Sequence, residues 1–236
     1  VQIGHQVWMT ENLKATHYRN GEAIPTGLDN DAWSSTSEGA YAVYDDEPSN
    51  AEVYGNLYNW YAVDDDRGVC PEGYHVPSDD GYTILNDYLG GRFIAGGRMK
   101  ECIEGSCPES NYWNSPNSGA TNESGFTALP NGIRYGEGGA EYMYLGEEGL
   151  LWTSTTAGNC DGGVACAWLE TLKWNVQVSY RSDNHKKDGY GVRCLSDETQ
   201  NTTILVPENF ATIQEAIDYS MDGDTVLVSA GTYYEN

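Results

Sequence analysis

Basic residues are scarce in this chain. Lys and Arg total 12 against 36 Asp and Glu over 236 residues, so the formal net charge is −24 and the sequence pI is near 4.2. A chain this poor in cations does not bind a phosphate backbone, because that affinity rests on Lys and Arg neutralising phosphates. Attraction to an anionic membrane surface is excluded on the same ground. No uninterrupted apolar run is long enough to cross a bilayer. The start lacks an initiator Met, a basic segment and an apolar stretch, so the chain reads as beginning after processing or inside a longer polypeptide. No C-x-x-C pair occurs, and the four histidines, His5, His17, His75 and His185, are scattered. Both absences weigh against a structural zinc site.

What is present is aromatic and turn-rich. Hydrophobic residues make up 39% and aromatics 12%, with 18 Tyr and 7 Trp, whereas disordered acidic chains are aromatic-poor. The 28 Gly and 8 Pro favour many turns over long helices. Cys70, Cys102, Cys107, Cys160, Cys166 and Cys194 form an even set, with fifteen pairings open to it. Cys102 and Cys107 flank a short loop, and Cys160 and Cys166 flank a Gly-rich one. Each local pair can close a small ring, which leaves Cys70 and Cys194 to join distant segments. Bridges of this kind belong to an oxidising compartment: secreted, periplasmic or cell-surface.

Along the chain, Val1–Met9 reads as a strand with Gly4 as a bulge or bend, and residues 1–63 as short strands and polar loops. Apolar residues at 57, 58 and 60–63 predict a short buried helix. A clearer helix follows Pro77, with Ser78 as N-cap, Asp79 and Asp80 in its first turn, and Gly90-Gly91 as its stop. Ile84, Leu85, Tyr88 and Leu89 give its expected apolar face. Residues 92–150 read as loop-rich, with Asn, Ser, Gly and Glu predominating. Strand-like runs follow at Leu150–Ser154, Ala165–Glu170, Trp174–Tyr180 and Tyr190–Leu195, and their alternation suits antiparallel strands with one face on a core. Composition shifts at 196–203, which divides the chain into a domain over 1–197, a linker over 198–203 and a segment over 204–236. In that segment Ile204–Val206 reads as a strand. A capping box at Thr212 and Glu215 opens a helix with Ile213, Ala216 and Ile217 on one face and Gly223 at its end, and Thr225–Ser229 reads as a further, unpaired strand. So short a segment is marginal for an independent core.

Several strings carry a resemblance: Ile3-Gly4-His5-Gln6-Val7-Trp8-Met9-Thr10-Glu11-Asn12-Leu13, Gly55-Asn56-Leu57-Tyr58-Asn59-Trp60-Tyr61-Ala62 and Cys70-Pro71-Glu72-Gly73-Tyr74-His75-Val76-Pro77-Ser78. Gly125 to Gly132, Trp152-Thr153-Ser154-Thr155 and Gly189-Tyr190-Gly191-Val192-Arg193-Cys194 complete the set. In this order they make residues 1–197 resemble the Fibrobacter-type major paralogous domain of secreted and surface proteins in several bacterial groups. The resemblance implies an α+β, C-type-lectin-like fold in which two short helices flank a twisted antiparallel sheet. It also implies a bridge from the first helix region to the last strand, which supports Cys70–Cys194. Residues 204–236 resemble the opening of a pectate-lyase-like right-handed β-helix, carried by Ile204–Pro207, Ala211–Ile217 and Asp222–Val228.

The chemistry-bearing strings are few. Leu129-Pro130-Asn131 and Trp174-Asn175-Val176 are the nearest matches to a calcium-and-sugar site, and both lack the acidic partners such a site needs. Asn131 reads as a turn residue before Gly132. Among the acidic clusters, Asp64, Asp65 and Asp66 after the helix at 57–63 are the first choice for calcium, against a plain solvated loop. Ser154 and Asp183 complete no nucleophile motif, His75 reads as core packing, and the six cysteines read as structural, so no catalytic residue is assigned. Tyr41, Tyr44, Tyr112, Trp113, Tyr135, Tyr142 and Tyr144 either pack loops or offer stacking faces to a partner or sugar. Asn122-Glu123-Ser124 and Asn201-Thr202-Thr203 match a glycosylation sequon. These readings predict a non-catalytic, extracellular structural or binding module. Its expected partners are copies of itself joined head to tail through Thr225, Val226, Leu227, Val228 and Ser229, with glycans or surface proteins as the alternative. A second alternative is an accessory domain of a carbohydrate-active β-helix enzyme.

Overall fold

A computed structural model describes residues 1–137, 141–160, 163–198, 203–220 and 223–234. The N-terminal stretch is not one strand. β1 (Gln2–Ile3) and β2 (Gln6–Val7) pair antiparallel, and Gly4 turns the chain between them at φ 58. Two helices then appear where strands and loops were expected. α1 (Asn30–Ser35) is capped by Asp29, whose side chain accepts from the Ala32 N–H. β3 (Tyr41–Ala42) precedes α2 (Pro48–Tyr54), which has Pro in its first turn and the Glu47 side chain as cap. Helices of 6 and 7 residues are too short to show a 3.6-residue period, so their caps define them. The helix expected over 57–63 divides into β4 (Leu57–Tyr58), paired with β3, and α3 (Trp60–Val63).

After β5 (Tyr74–His75) comes α4 (Asp79–Tyr88), where the Ser78 side chain accepts from the Gly81 N–H. Its buried face is Tyr82, Leu85, Asn86 and Leu89, while Ile84 and Tyr88 are 39% and 38% exposed. The expected face was therefore rotated. Next is α5 (Arg92–Met99), absent from the sequence reading because Gly96 and Gly97 lower helix propensity. The glycines are there for proximity. A Cβ on Gly96 would lie 2.6 Å from the Val178 carbonyl oxygen, and one on Gly97 2.2 Å from that of Gly119.

β6 (Asn131–Arg134) and β7 (Tyr142–Leu145) form a hairpin. β8 (Glu148–Asn159), β9 (Ala165–Lys173) and β10 (Ser179–His185) form the main antiparallel sheet, in the order β10-β9-β8. Two expected strands are corrected. Trp174–Val178 lies before β10, with the 174 amide returning to the Glu147 carbonyl at 2.9 Å. Residues 190–194 form single bridges to Tyr58 and Leu151 before β11 (Leu195–Ser196) pairs with β5. The main sheet is covered on both faces in its middle, not on one. Leu150, Trp152 and Leu169 enter a core with Leu13, Tyr58, Trp60, Tyr190 and Val192. Leu151 and Leu172 enter a second core with Trp8, Tyr82, Leu85, Met99 and Phe126.

The C-terminal unit consists of β12 (Thr203–Val206), α6 (Ile213–Tyr219) and β13 (Thr225–Val228). α6 carries the full capping box between Thr212 and Glu215. Ile204, Val206 and Ala216 form its small core, whereas Ile217 is 50% exposed. β12 begins at Thr203, a residue expected in the linker. Residues 199–202 lie outside the described residues. β13 is not unpaired: it runs parallel to β12 from Thr203↔Thr225 to Val206↔Val228, and the Ser229 N–H donates to Val206. The capped helix between them brings the strands side by side, as a parallel crossover requires. The chain is thus mixed α and β, with six α-helices and small sheets among the described residues.

Candidate binding site

The residues of the recognisable strings work inside the molecule. Arg193 is fully buried without a carboxylate. It donates to Asn12 Oδ1, at 3.1 Å from Nε and 2.7 Å from Nη2, and to the Phe126 carbonyl at 2.6 Å. Asn59 Oδ1 accepts from the Ala62 and Ala40 N–H groups. The indoles of Trp60 and Trp152 donate to the Thr153 and Tyr58 carbonyls, each at 2.9 Å. Asn131 is not a turn residue. It is fully buried, donates to the Leu150 carbonyl at 3.0 Å and accepts from the Leu150 N–H at 2.9 Å, which fastens β6 to β8. Buried polar groups need such partners, so these side chains are scaffold.

Disulfides join Cys70 to Cys194, Cys102 to Cys107 and Cys160 to Cys166. Such bridges form in an oxidising compartment. No helix among the described residues is long and apolar enough to cross a membrane. Asp64 and Asp66 are exposed, and Asp65 is held by Arg67 at 2.8 and 2.6 Å, which lowers its carboxyl below the usual range. The described residues contain no group of three or more His, Cys, Asp or Glu that could hold a metal ion. Tyr44 and Trp113 are buried, Tyr112 is 37% exposed, and Tyr41, Tyr135, Tyr142 and Tyr144 are half-buried. The Tyr142 hydroxyl donates to Asp46 at 2.8 Å. His75 is not in the core: its imidazole is 48% exposed and meets Asp197 at 2.6 Å, because β5 pairs with β11 in a separate two-stranded sheet that brings residues 74–75 beside 195–196. Asn122 sits at φ 48 and its side chain is bonded to Thr127. Asn201 lies outside the described residues.

Side chains from distant segments converge, with open space beside them, at the seam between the N-terminal hairpin, the end of α4 and the C-terminal unit. The His5 imidazole pairs through Nε2 with Asp224, their side chains only 3% and 1% exposed. The same ring stacks on Tyr219, centroids 4.8 Å apart. Tyr219 also meets Phe210 at 4.9 Å and Tyr88 at 6.2 Å. Burial pushes its hydroxyl up to about 12, so it stays neutral. Gly4 is required beneath them: besides its positive φ, an added Cβ would come within 2.7 Å of the Tyr219 hydroxyl and 3.0 Å of the Tyr88 ring. Alongside runs a groove of about 450 Å³, within the range of small-ligand clefts. Tyr88 and Phe210 supply ring surface there, and Asp87, Glu208, Gln2 and Asn209 supply polar atoms.

Sequence reasoning found none of these as site residues. The only signal was a Gly-His pair at a bend. The sequence pattern places Tyr88 on the buried face of its helix, whereas its ring is 38% exposed at the groove.

The fold and its bonding define a disulfide-bonded α+β domain whose recognisable residues are structural. The chain belongs to the Fibrobacter succinogenes major domain family, whose model matches residues 1–196. Neither the curated proteins nor the solved structures contain a match to the chain.

Proposed function

We propose that this protein is a non-catalytic extracellular structural and binding module, with a variant of the C-type lectin fold over 1–196. The C-terminal unit is its joining piece. The observation that carries the reading is the seam. β12, α6 and β13 hold a small core of their own, follow a short polar stretch, and meet the domain where Tyr219 and Asp224 pack on His5 and Tyr88. A unit docked this way within one chain can make the same contacts on the next chain, and a head-to-tail contact that does not close gives a filament. The free edge of β13 offers a second route to such joining. The structural roles of the family strings and the three disulfides support a scaffold at the cell surface rather than an enzyme. Calcium enters as a counter-ion for the exposed carboxylates of Asp64 and Asp66.

Deleting residues 199–236 tests the reading. Electron microscopy and light scattering of the intact chain should show polymers, and the truncated chain should remain monomeric. Polymers that persist after the deletion would sink it. The parallel pairing of β12 with β13 across a helix favours one second reading, that of a domain attached to a longer parallel β-structure.

A further inference from the structure

Going beyond the assembly reading, we infer that the groove at the seam is a saccharide-binding site, selective for neutral or amino-substituted oligosaccharides over acidic ones.

The groove is more polar than an apolar ligand cleft, yet it carries two aromatic rings, Tyr88 and Phe210. Tyr88 is 38% exposed and is backed by Tyr219, so one side of its ring is supported and ring surface remains open. Aromatic surface of this kind packs against the C–H face of a sugar ring at small entropic cost. The polar atoms around it are mixed in character. Asp87 and Glu208 supply acceptors, and neither side chain makes a hydrogen bond or ion pair among the described residues. Gln2 gives one amide N–H to the Gly4 carbonyl at 3.2 Å, which leaves its oxygen to accept and its second N–H to donate. Asn209 spends its oxygen on the Leu205 N–H at 2.7 Å, which leaves its amide N–H to donate. Acceptors and donors side by side match a ligand whose groups are both, as hydroxyls are.

Charge sets the preference. The one cation of the groove, Arg98, is already neutralised by Glu123 at 2.7 Å. Asp87 and Glu208 are then left uncompensated, which repels a carboxylated sugar and favours a neutral or ammonium-bearing one. Because Asp87 belongs to α4 and Glu208 and Phe210 to the C-terminal unit, the groove exists only while the unit is docked.

Titration calorimetry on the full chain should give saturable binding with cellotetraose, chitotetraose or deacetylated chitotetraose, and none with tetragalacturonate. Tyr88→Ala should weaken binding at least about tenfold, in line with the loss of one stacking face. Glu208→Lys changes an exposed residue outside the small core, so it keeps the fold. It should lower affinity for the deacetylated probe and admit tetragalacturonate. The inference is overturned if no neutral or amino probe binds, or if tetragalacturonate binds equally well. It is also overturned if Tyr88→Ala and Glu208→Lys both leave binding unchanged, or if an oligolysine peptide binds while every saccharide fails. None of these outcomes depends on whether the chain polymerises.

Discussion

At the residue scale the interior is held by ionisable side chains that sequence patterns do not advertise. Lys100 is fully buried, and its ammonium donates to the carbonyls of Ser118, Lys173 and Val176 at 2.9–3.0 Å. Burial pushes its pKa down to about 8. Lys100→Met would strand three carbonyls, and urea denaturation should register a loss of about 3 kcal/mol. Glu170 and Asp188 show the opposite effect on acids: burial raises them to about 7 and about 6 from ordinary values of 4.5 and 3.8. Between about pH 4 and pH 7 the unfolded chain therefore loses protons that the folded chain keeps. Stability should fall as pH rises through that window and level off above it. Thermal unfolding should give a melting temperature several degrees higher at pH 5 than at pH 8, and Glu170→Gln with Asp188→Asn should flatten that slope.

At the scale of elements, close approach explains more than propensity. α5 survives two glycines because its backbone must touch the carbonyls of 119 and 178. The N-terminal hairpin turns at Gly4 for the same kind of reason. Gly4→Ala would force an L-residue into φ 58 and push its methyl into Tyr219 and Tyr88. The expected outcome is selective. Hydrogen exchange should show residues 203–228 losing protection, while β8–β10 keep theirs. Uniform loss across both regions would show that the hairpin is needed for the whole fold.

At the scale of the molecule, the charge of −24 governs association. Copies packed closely repel one another, and the C-terminal unit contains no Lys or Arg to compensate. If copies join through that unit, light scattering should show association strengthening as NaCl rises from low to physiological concentration, because screening lengths shorten. Calcium chloride matched for ionic strength should act more strongly only if a carboxylate site binds it, and equal effects would reduce calcium to a screening ion.

The sequence by itself determined the local and the covalent. Ser78 and the Thr212–Glu215 capping box start helices wherever they stand, since their partners lie within three residues. The family strings were legible because many short motifs occur in one order, and they supported Cys70–Cys194 beside the two short rings that spacing suggested. Tertiary structure decided the rest. His5 and Asp224 are 219 residues apart, and nothing local marks either as the other's partner. Asn131 reads as a turn residue until β8 arrives beside it. The exposed faces of α4 and β13 depend on what packs against each element. Burial, pairing and the groove at the seam are properties of surfaces brought together, and a chain carries no record of them until its distant segments meet.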